Sequence, residues 1–180
     1  MRFPKLNLVC CLQDECKPAM NCICVNKDFT YATDGHIAVR HVTSELFPEE
    51  FISSLSNDTI LIPAQVIHVI RKRETLRLSL NDDKTQIRIH QENGITVLCD
   101  LLCDVKYPNV DLAIPDKKDC LPINKISFNV EYLEYLIKGI GCSHPTIKMY
   151  FYGPTKAILV ESEYGYRSAV GIIMPCDFNN

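Results

Sequence analysis

Asp34 and His36 stand two apart in the stretch TDGH at residues 33–36, the spacing at which a carboxylate and an imidazole open the ligand set of a binuclear metallophosphatase. Completing such a site takes further carboxylate, Asn and His ligands on separate loops, and neither a G-D-x-x-D nor a G-N-H block follows. His41, His68, His90 and His144 are scattered singly, as structural histidines are. A phosphate-binding glycine loop and a G-x-S-x-G elbow are both missing. Catalysis lacks its partner groups, and the sequence predicts a non-enzymatic protein with no cofactor.

Ten cysteines invite a second metal reading, above all the cluster Cys10, Cys11, Cys16, Cys22 and Cys24. Their spacing argues against it. No C-x-x-C pair occurs, and Cys22 and Cys24 sit at strand spacing with both side chains on one side of the sheet. The expectation is buried free thiols acting as small apolar residues, here and at Cys99, Cys103 and Cys176, and no bound metal.

The bend itself has a plainer chemistry. Phe29, Tyr31 and Thr33 alternate with Thr30 and Ala32 as in a half-buried strand, Gly35 supplies the freedom to turn, and Ile37, Ala38 and Val39 resume a strand. Asp34 would then bond its own backbone while His36 flanks the turn.

The elements around the bend follow from hydrophobic period. Residues 6–41 read as strands and turns, with residues 21–25 extended before a turn at 26–28. Residues 44–58 read as a connecting loop with one short helical turn near 49–55. A strand at 60–62 leads to Pro63, which opens a helix over 64–72 with Val66, Ile67 and Ile70 on one side. Alternating strands at 75–80, 85–90 and 95–101 come next, the last two joined by Asn93-Gly94. After a Pro- and Lys-containing linker the order returns: a strand at 126–128, a helix over 130–138 capped by Asn129, and strands at 146–152, 157–163 and 167–174. The predicted fold class is α+β, built from repeated βαβββ units with antiparallel sheets and two main helices on one face. The expected division is 1–58 as a strand-rich half-unit, 59–114 as a second unit, 115–124 as linker and 125–180 as a third unit.

Composition sets outer bounds. At 180 residues with 47% hydrophobic and 23% charged content, the chain has enough apolar mass for one sizeable core or two small ones. A formal net charge of −3 excludes a strongly basic nucleic-acid arm but leaves room for a local basic face. No apolar run approaches the roughly 20 residues of a membrane span, and residues 1–12 lack a signal-peptide pattern, so a cytoplasmic protein is expected.

Four ordered blocks carry a resemblance to a known family. ATDGH at residues 32–36 resembles the signature of the middle domain of the bacterial DNA polymerase III beta subunit, the sliding clamp. YPNVDLAIP at 107–115 is similar to that family's interdomain segment, FNVEYL at 128–133 to the start of its last helix, and AVGIIMPCDF at 169–178 to its C-terminal V-V-M-P-M-R-L. The resemblance implies a trimmed clamp, with no counterpart of the family's first domain, and a protein of replication or repair.

In the family the blocks converge on a hydrophobic pocket that docks short linear motifs of polymerases and repair proteins. Carried over, the pocket would use Thr33, Gly35, His36, Ile37 and Ala38, then Pro108, Leu112 and Ala113, then Ile172, Ile173, Met174, Pro175 and Cys176. Ile173→Arg is accordingly expected to abolish peptide binding without harming the fold. Ile37 stands where the family has Arg, Leu112 falls on a position often basic, and Asp177 replaces a basic residue, so the rim differs in polarity.

Helices line the DNA channel in the family, which makes Arg71, Lys72 and Arg73, with Arg77 nearby, the candidate phosphate contacts on double-stranded DNA. The second helix offers Glu131 and Glu134 against Lys138. A homo-oligomer around DNA, pairing through edge strands near the N-terminus or at residues 167–174, is one expectation. A clamp-derived interaction module that does not encircle DNA is the other.

Overall fold

The computed structural model describes residues 3–11, 14–56, 58–71, 77–90, 94–143, 146–166 and 168–176, apart from the side chains of His68 and Arg71. The fold is α+β. One antiparallel sheet joins β1 (Cys22–Val25), β2 (Phe29–Thr33), β3 (Ile37–Val42) and β4 (Ile60–Pro63) to β8 (Ile147–Tyr150), β9 (Ile158–Ser162) and β10 (Val170–Ile173). Its strand order is β4-β1-β2-β3-β10-β9-β8. A second sheet holds β5 (Arg77–Leu80), β6 (Gln86–His90) and β7 (Thr96–Asp100) in that order. The helices are α1 (Glu49–Leu55), α2 (Ile67–Arg71) and α3 (Val130–Ile140).

Side-chain acceptors make the tight turns. Asn26 Oδ1 accepts the amides of Asp28 and Phe29 at 2.9 and 2.7 Å, and Asn81 Oδ1 those of Thr85 and Gln86 at 2.8 and 2.9 Å. Each replaces a backbone carbonyl, the reason Asn and Asp favour turns. Asn129 caps α3 by accepting the Glu131 amide at 2.9 Å, and Gly141 ends it in the left-handed conformation at φ +73°.

Helix α3 lies across the seam where β3 meets β10, and also touches the short 3-10 turn Leu6–Leu8. Gly171 in β10 allows that approach: a Cβ there would stand 2.8 Å from Cδ1 of both Ile140 and Leu136. The helix that the N-terminal strands lack on their own is thus supplied by the C-terminal part of the chain. Leu136 and Ile140 of the helix pack down on Ile37, Val39, Ile158 and Ile173, all six at most 1% exposed. The opposite face of the sheet buries a separate cluster that includes Cys22, Cys24, Tyr31, Ala38, Val110, Leu159 and Ile172.

Several expectations need correction. Residues 126–128 are extended but join no ladder; the Ser127 carbonyl instead accepts the Cys176 amide at 2.7 Å. The helix expected over 64–72 starts as a 3-10 turn, Ala64–Val66, and becomes α-helical at Ile67. The helical turn near 49–55 is a seven-residue helix with Phe51, Ile52 and Leu55 buried. The strand expected at 167–174 forms β10 but lies between β3 and β9, and β1 lies between β4 and β2, so neither is an edge. The outer strands are β4 and β8 of the large sheet and β5 and β7 of the small one; α1 packs against β5, β7 lies against β4, and Leu61 in β4 accepts the Leu102 amide at 3.1 Å. Asn93 lies outside the described residues; Gly94 beside it has φ +82°.

Candidate functional site

The TDGH turn holds itself together. Asp34 Oδ1 accepts the amides of His36 and Ile37, both at 2.8 Å. Thr33 Oγ1 donates to the Ile37 carbonyl at 2.7 Å and accepts the Gly35 amide at 3.1 Å. Gly35 has φ +93°, a value that favours glycine, and a Cβ there would meet the Met20 thioether at 3.9 Å. The Asp34 carboxylate is therefore engaged with backbone amides. Among the described residues, no group of three His, Cys, Asp or Glu side chains is gathered to hold a metal ion. His36 is exposed and stacks on Tyr132 of α3, ring centroids 5.2 Å apart and planes 12° apart.

Register then brings the first and third blocks together. Ile37 pairs with Ile173 and Ala38 with Ile172, and the ladder continues where the Met174 amide donates to the His36 carbonyl at 2.9 Å. Neighbours along a strand point to opposite faces, so these two pairs cannot share a pocket. Ile37 and Ile173, 1% and 0% exposed, lie in the helix-side core. Ala38 and Ile172 lie on the outer face. Ile37 and Ile173 are thus core residues, and Ile173→Arg would place a guanidinium under α3 instead of sparing the fold. Met174 is exposed, Pro175 and Cys176 are half-buried, and Thr33 is buried at the strand end.

The second block approaches from the outer side as a 3-10 turn, Val110–Ala113. Val110 is buried in the outer-face cluster, whereas Leu112 is 85% exposed and Ala113 is exposed. Asp111 ties the turn down: the Tyr31 hydroxyl donates to Oδ2 at 2.7 Å and the Arg40 guanidinium to Oδ1 at 2.8 Å. Burial and this bond to a carboxylate both push the Tyr31 phenol pKa up. Tyr107 sends its hydroxyl to the Cys22 carbonyl at 3.5 Å, and burial raises its pKa well above the usual value.

Two hollows flank these residues. One of about 790 Å³ is lined by Cys24, Tyr31, Leu61, Tyr107, Pro108 and Val110 among others. Another of about 440 Å³ is lined by Cys11, Lys17, Asp34, His36, Tyr132 and Tyr135 among others. Pro108 and His36 thus open into different spaces. The residues that sequence reasoning missed are Met20, Tyr31, Arg40, Val110 and Asp111. Tyr31 and Arg40 are separated by 80 and 71 positions from the Asp111 carboxylate they share, so no local signal could group the three.

The cysteines are all free. Burial pushes the Cys22 thiol up to about 11 and the Cys24 thiol up to about 12, which keeps both neutral and apolar in character. Of the candidate DNA contacts, Arg77 is exposed at the start of β5 and Arg71 closes α2; Lys72 and Arg73 lie outside the described residues. On α3, Lys138 is ion-paired with Glu134, and Glu131 is exposed.

Among the described residues, no helix is long and apolar enough to cross a membrane. No protein-family model matches the sequence, and no curated protein matches it. Solved structures do match. Over 96% of the chain, a C. crescentus beta sliding clamp superposes with TM-score 0.72 at 14% identity, and 62% of that clamp is covered. The DNA polymerase III beta subunit of Borrelia burgdorferi gives TM-score 0.71 at 13% identity, with 97% of this chain and 61% of that one covered. That of Streptococcus pyogenes gives 0.68 at 14%, with 96% and 63% covered. The chain spans a little under two thirds of the length of the clamps it matches, and over that span it has the fold of the bacterial DNA polymerase III beta sliding clamps.

Proposed function

We propose that this chain is a non-enzymatic, clamp-like protein of replication or repair that binds short linear motifs of polymerase-type partners. The observation that carries the reading is the β3–β10 ladder, which places the TDGH turn beside Met174, Pro175 and Cys176, with Met174 bonded to the His36 carbonyl. The proposed site draws on both sides of this seam: His36 and Met174, with Gly35, Pro175 and Cys176, at the turn, and Pro108, Leu112 and Ala113 on the outer face that buries Ala38 and Ile172, with Thr33 at the strand end between them. A thioether and a leucine in the open suit a partner's apolar anchors, each worth about 1.5 to 3 kcal/mol when fully buried. A fluorescent peptide of the Q-L-x-L-F type, titrated with anisotropy as readout, tests it. Saturable micromolar binding that Met174→Arg and Leu112→Asp remove is expected; equal affinity in both variants would reject the site.

A DNA-associated homo-oligomer is part of this reading. Arg71, Lys72, Arg73 and Arg77 would supply phosphate contacts, and the outer strand β8 a pairing edge. A second reading, an interaction module that does not encircle DNA, is favoured by the face of α3. That helix presents Glu131 and a Glu134–Lys138 pair to solvent, an acidic surface where a DNA channel needs a basic one. Native mass separates the two: a monomer cannot encircle DNA, and salt-sensitive retention of DNA by an oligomer would restore the first.

A further inference from the structure

We infer that the solvent face of the three-stranded sheet, at the end where β5 begins, binds the phosphate backbone of double-stranded DNA through Arg77 and Arg88, with the hydroxyls of Ser79 and Thr96 beside them. The inference rests on the DNA-associated reading and gives it a surface other than the helices.

A period of two sorts the side chains of this sheet. Ile87 and Ile89 of β6 are fully buried, so Arg88 between them faces away from the core, and register puts Arg77 and Ser79 of β5 and Thr96 and Leu98 of β7 on the same side. Arg88 stands opposite Ser79, while His90 stands opposite Arg77 on one neighbour and Thr96 on the other. Arg77 and Arg88 are therefore diagonal cross-strand neighbours, with Cβ atoms about 7 to 8 Å apart. Two long, forked side chains at that spacing can close on one phosphate or take two in succession. Both are exposed, and among the described residues neither is ion-paired.

His90 links the two hydroxyls, its Nε2 lying 3.3 Å from Ser79 Oγ and its Nδ1 3.1 Å from Thr96 Oγ1. A neutral imidazole holds one proton, so one hydroxyl donates to the ring and the other accepts from it, which leaves that second O–H free for an outside acceptor. Negative groups keep to the other end of the face. Asp100 accepts the Gln86 amide at 2.7 Å, and Asp82 and Asp83 lie in the turn after β5. Strands β5, β6 and β7 carry no Phe, Tyr or Trp on which bases could stack, which favours a duplex backbone over a single strand. Helix α3 has only Lys138 as a cation, and that is tied to Glu134.

The test titrates a short fluorescent DNA duplex into the whole chain and its Arg77→Gln, Arg88→Gln and Lys138→Gln variants, reading anisotropy over a salt series, with urea denaturation as the check on folding. Each sheet variant should bind roughly tenfold more weakly at low salt and lower the slope of log affinity against log salt by about one, while Lys138→Gln changes neither. Ser79→Ala combined with Thr96→Ala should weaken binding with the slope unchanged, because it removes a neutral donor. Duplex binding that survives both arginine changes would overturn the sheet face and leave DNA association to the helices. Tighter binding of the same strand unpaired would overturn the duplex assignment, and displacement by polyglutamate as readily as by unlabelled duplex would make the face a site for acidic protein. No binding by the unaltered chain at low salt would sink DNA association itself, and this inference with it.

Discussion

The two faces of the seven-stranded sheet bury neighbouring residues in different ways. On the helix side, Ile173 and Ile37 lie under α3, and Gly171 brings the helix so close that even a methyl group would collide with Leu136 and Ile140. On the outer side, Ile172 and Ala38 are nearly as buried, in a cluster to which an irregular segment contributes Val110, Tyr107 and Ile114, with Asp111 bonded to Tyr31 and Arg40. Equal burial therefore hides unequal commitment. A regular helix packed by several residues cannot be lifted piecemeal, whereas an irregular segment with most of its residues exposed opens more readily.

The sharpest way to break this comparison is to put the same charge on each side. Ile173→Arg buries an unpaired guanidinium beneath α3 and should cost roughly 4 kcal/mol or more, enough to abolish cooperative unfolding in a small domain. Ile172→Arg should cost about half as much, because on the outer face no helix lies over the side chain and its long stem can carry the guanidinium to water. Urea denaturation followed by circular dichroism measures both. Equal losses would mean that the outer cover is as rigid as the helix.

A pH series probes the helix side alone. His41 is fully buried, its Nε2 lies 2.9 Å from the Gly139 carbonyl near the end of α3, and its Nδ1 has no hydrogen-bond partner among the described residues. Nε2 must carry the proton to donate, and a second proton on Nδ1 would be stranded. Burial lowers the pKa from 6.5 to about 4. The folded state thus prefers the neutral ring: its stability is complete above pH 6.5 and falls as pH drops towards 4, where the unfolded chain is protonated and the folded chain is not. The loss across that window is about 3 kcal/mol. His41→Gln, which keeps a donor for Gly139, should flatten it. An unchanged slope in that variant would place the titration elsewhere.

Much of this arrangement was legible in the sequence. Alternation located the strands, Asn129 marked the start of α3, and Asp34-Gly35 marked the turn on which the proposed site centres. The sidedness of Ile172 and Ile173 was legible too, since a period of two forbids adjacent residues from lining one pocket; carrying a motif over as a block hid it. What could not be read was the β3–β10 pairing. It joins Ile37 to Ile173 across most of the chain, and no local pattern chooses between β10 and the apolar residues 126–128 as strand partners. Asp111 was hidden for the same reason, because its meaning depends on Tyr31 and Arg40 arriving from two other strands.

The capping of α3 sharpens the comparison on a smaller scale. Asn129→Ala removes the acceptor for the Glu131 amide and should cost about 1 kcal/mol. Because α3 covers the helix-side core, that loss should show as earlier global unfolding, with Cys24 on the outer face reacting no faster with a maleimide under native conditions. Faster Cys24 modification in this variant would mean that the two covers move together.

The smallest effect expected on stability is at the Arg40–Asp111 ion pair. The side chains of Arg40 and Asp111 are 25% and 44% exposed, and an ion pair in that setting contributes about 0.2 to 1 kcal/mol, less at high salt. A double-mutant cycle of Arg40→Met and Asp111→Ala in urea should return a coupling in that range. The Tyr31 hydroxyl on the same carboxylate adds a charge-assisted bond of about 1.5 kcal/mol or more, partly shielded from water. Contributions of this size alter global stability little when the segment they hold opens below the threshold of global unfolding. A coupling well above 1 kcal/mol in global unfolding would place Asp111 within the cooperative core, and the outer face would then be as fixed as the one beneath α3.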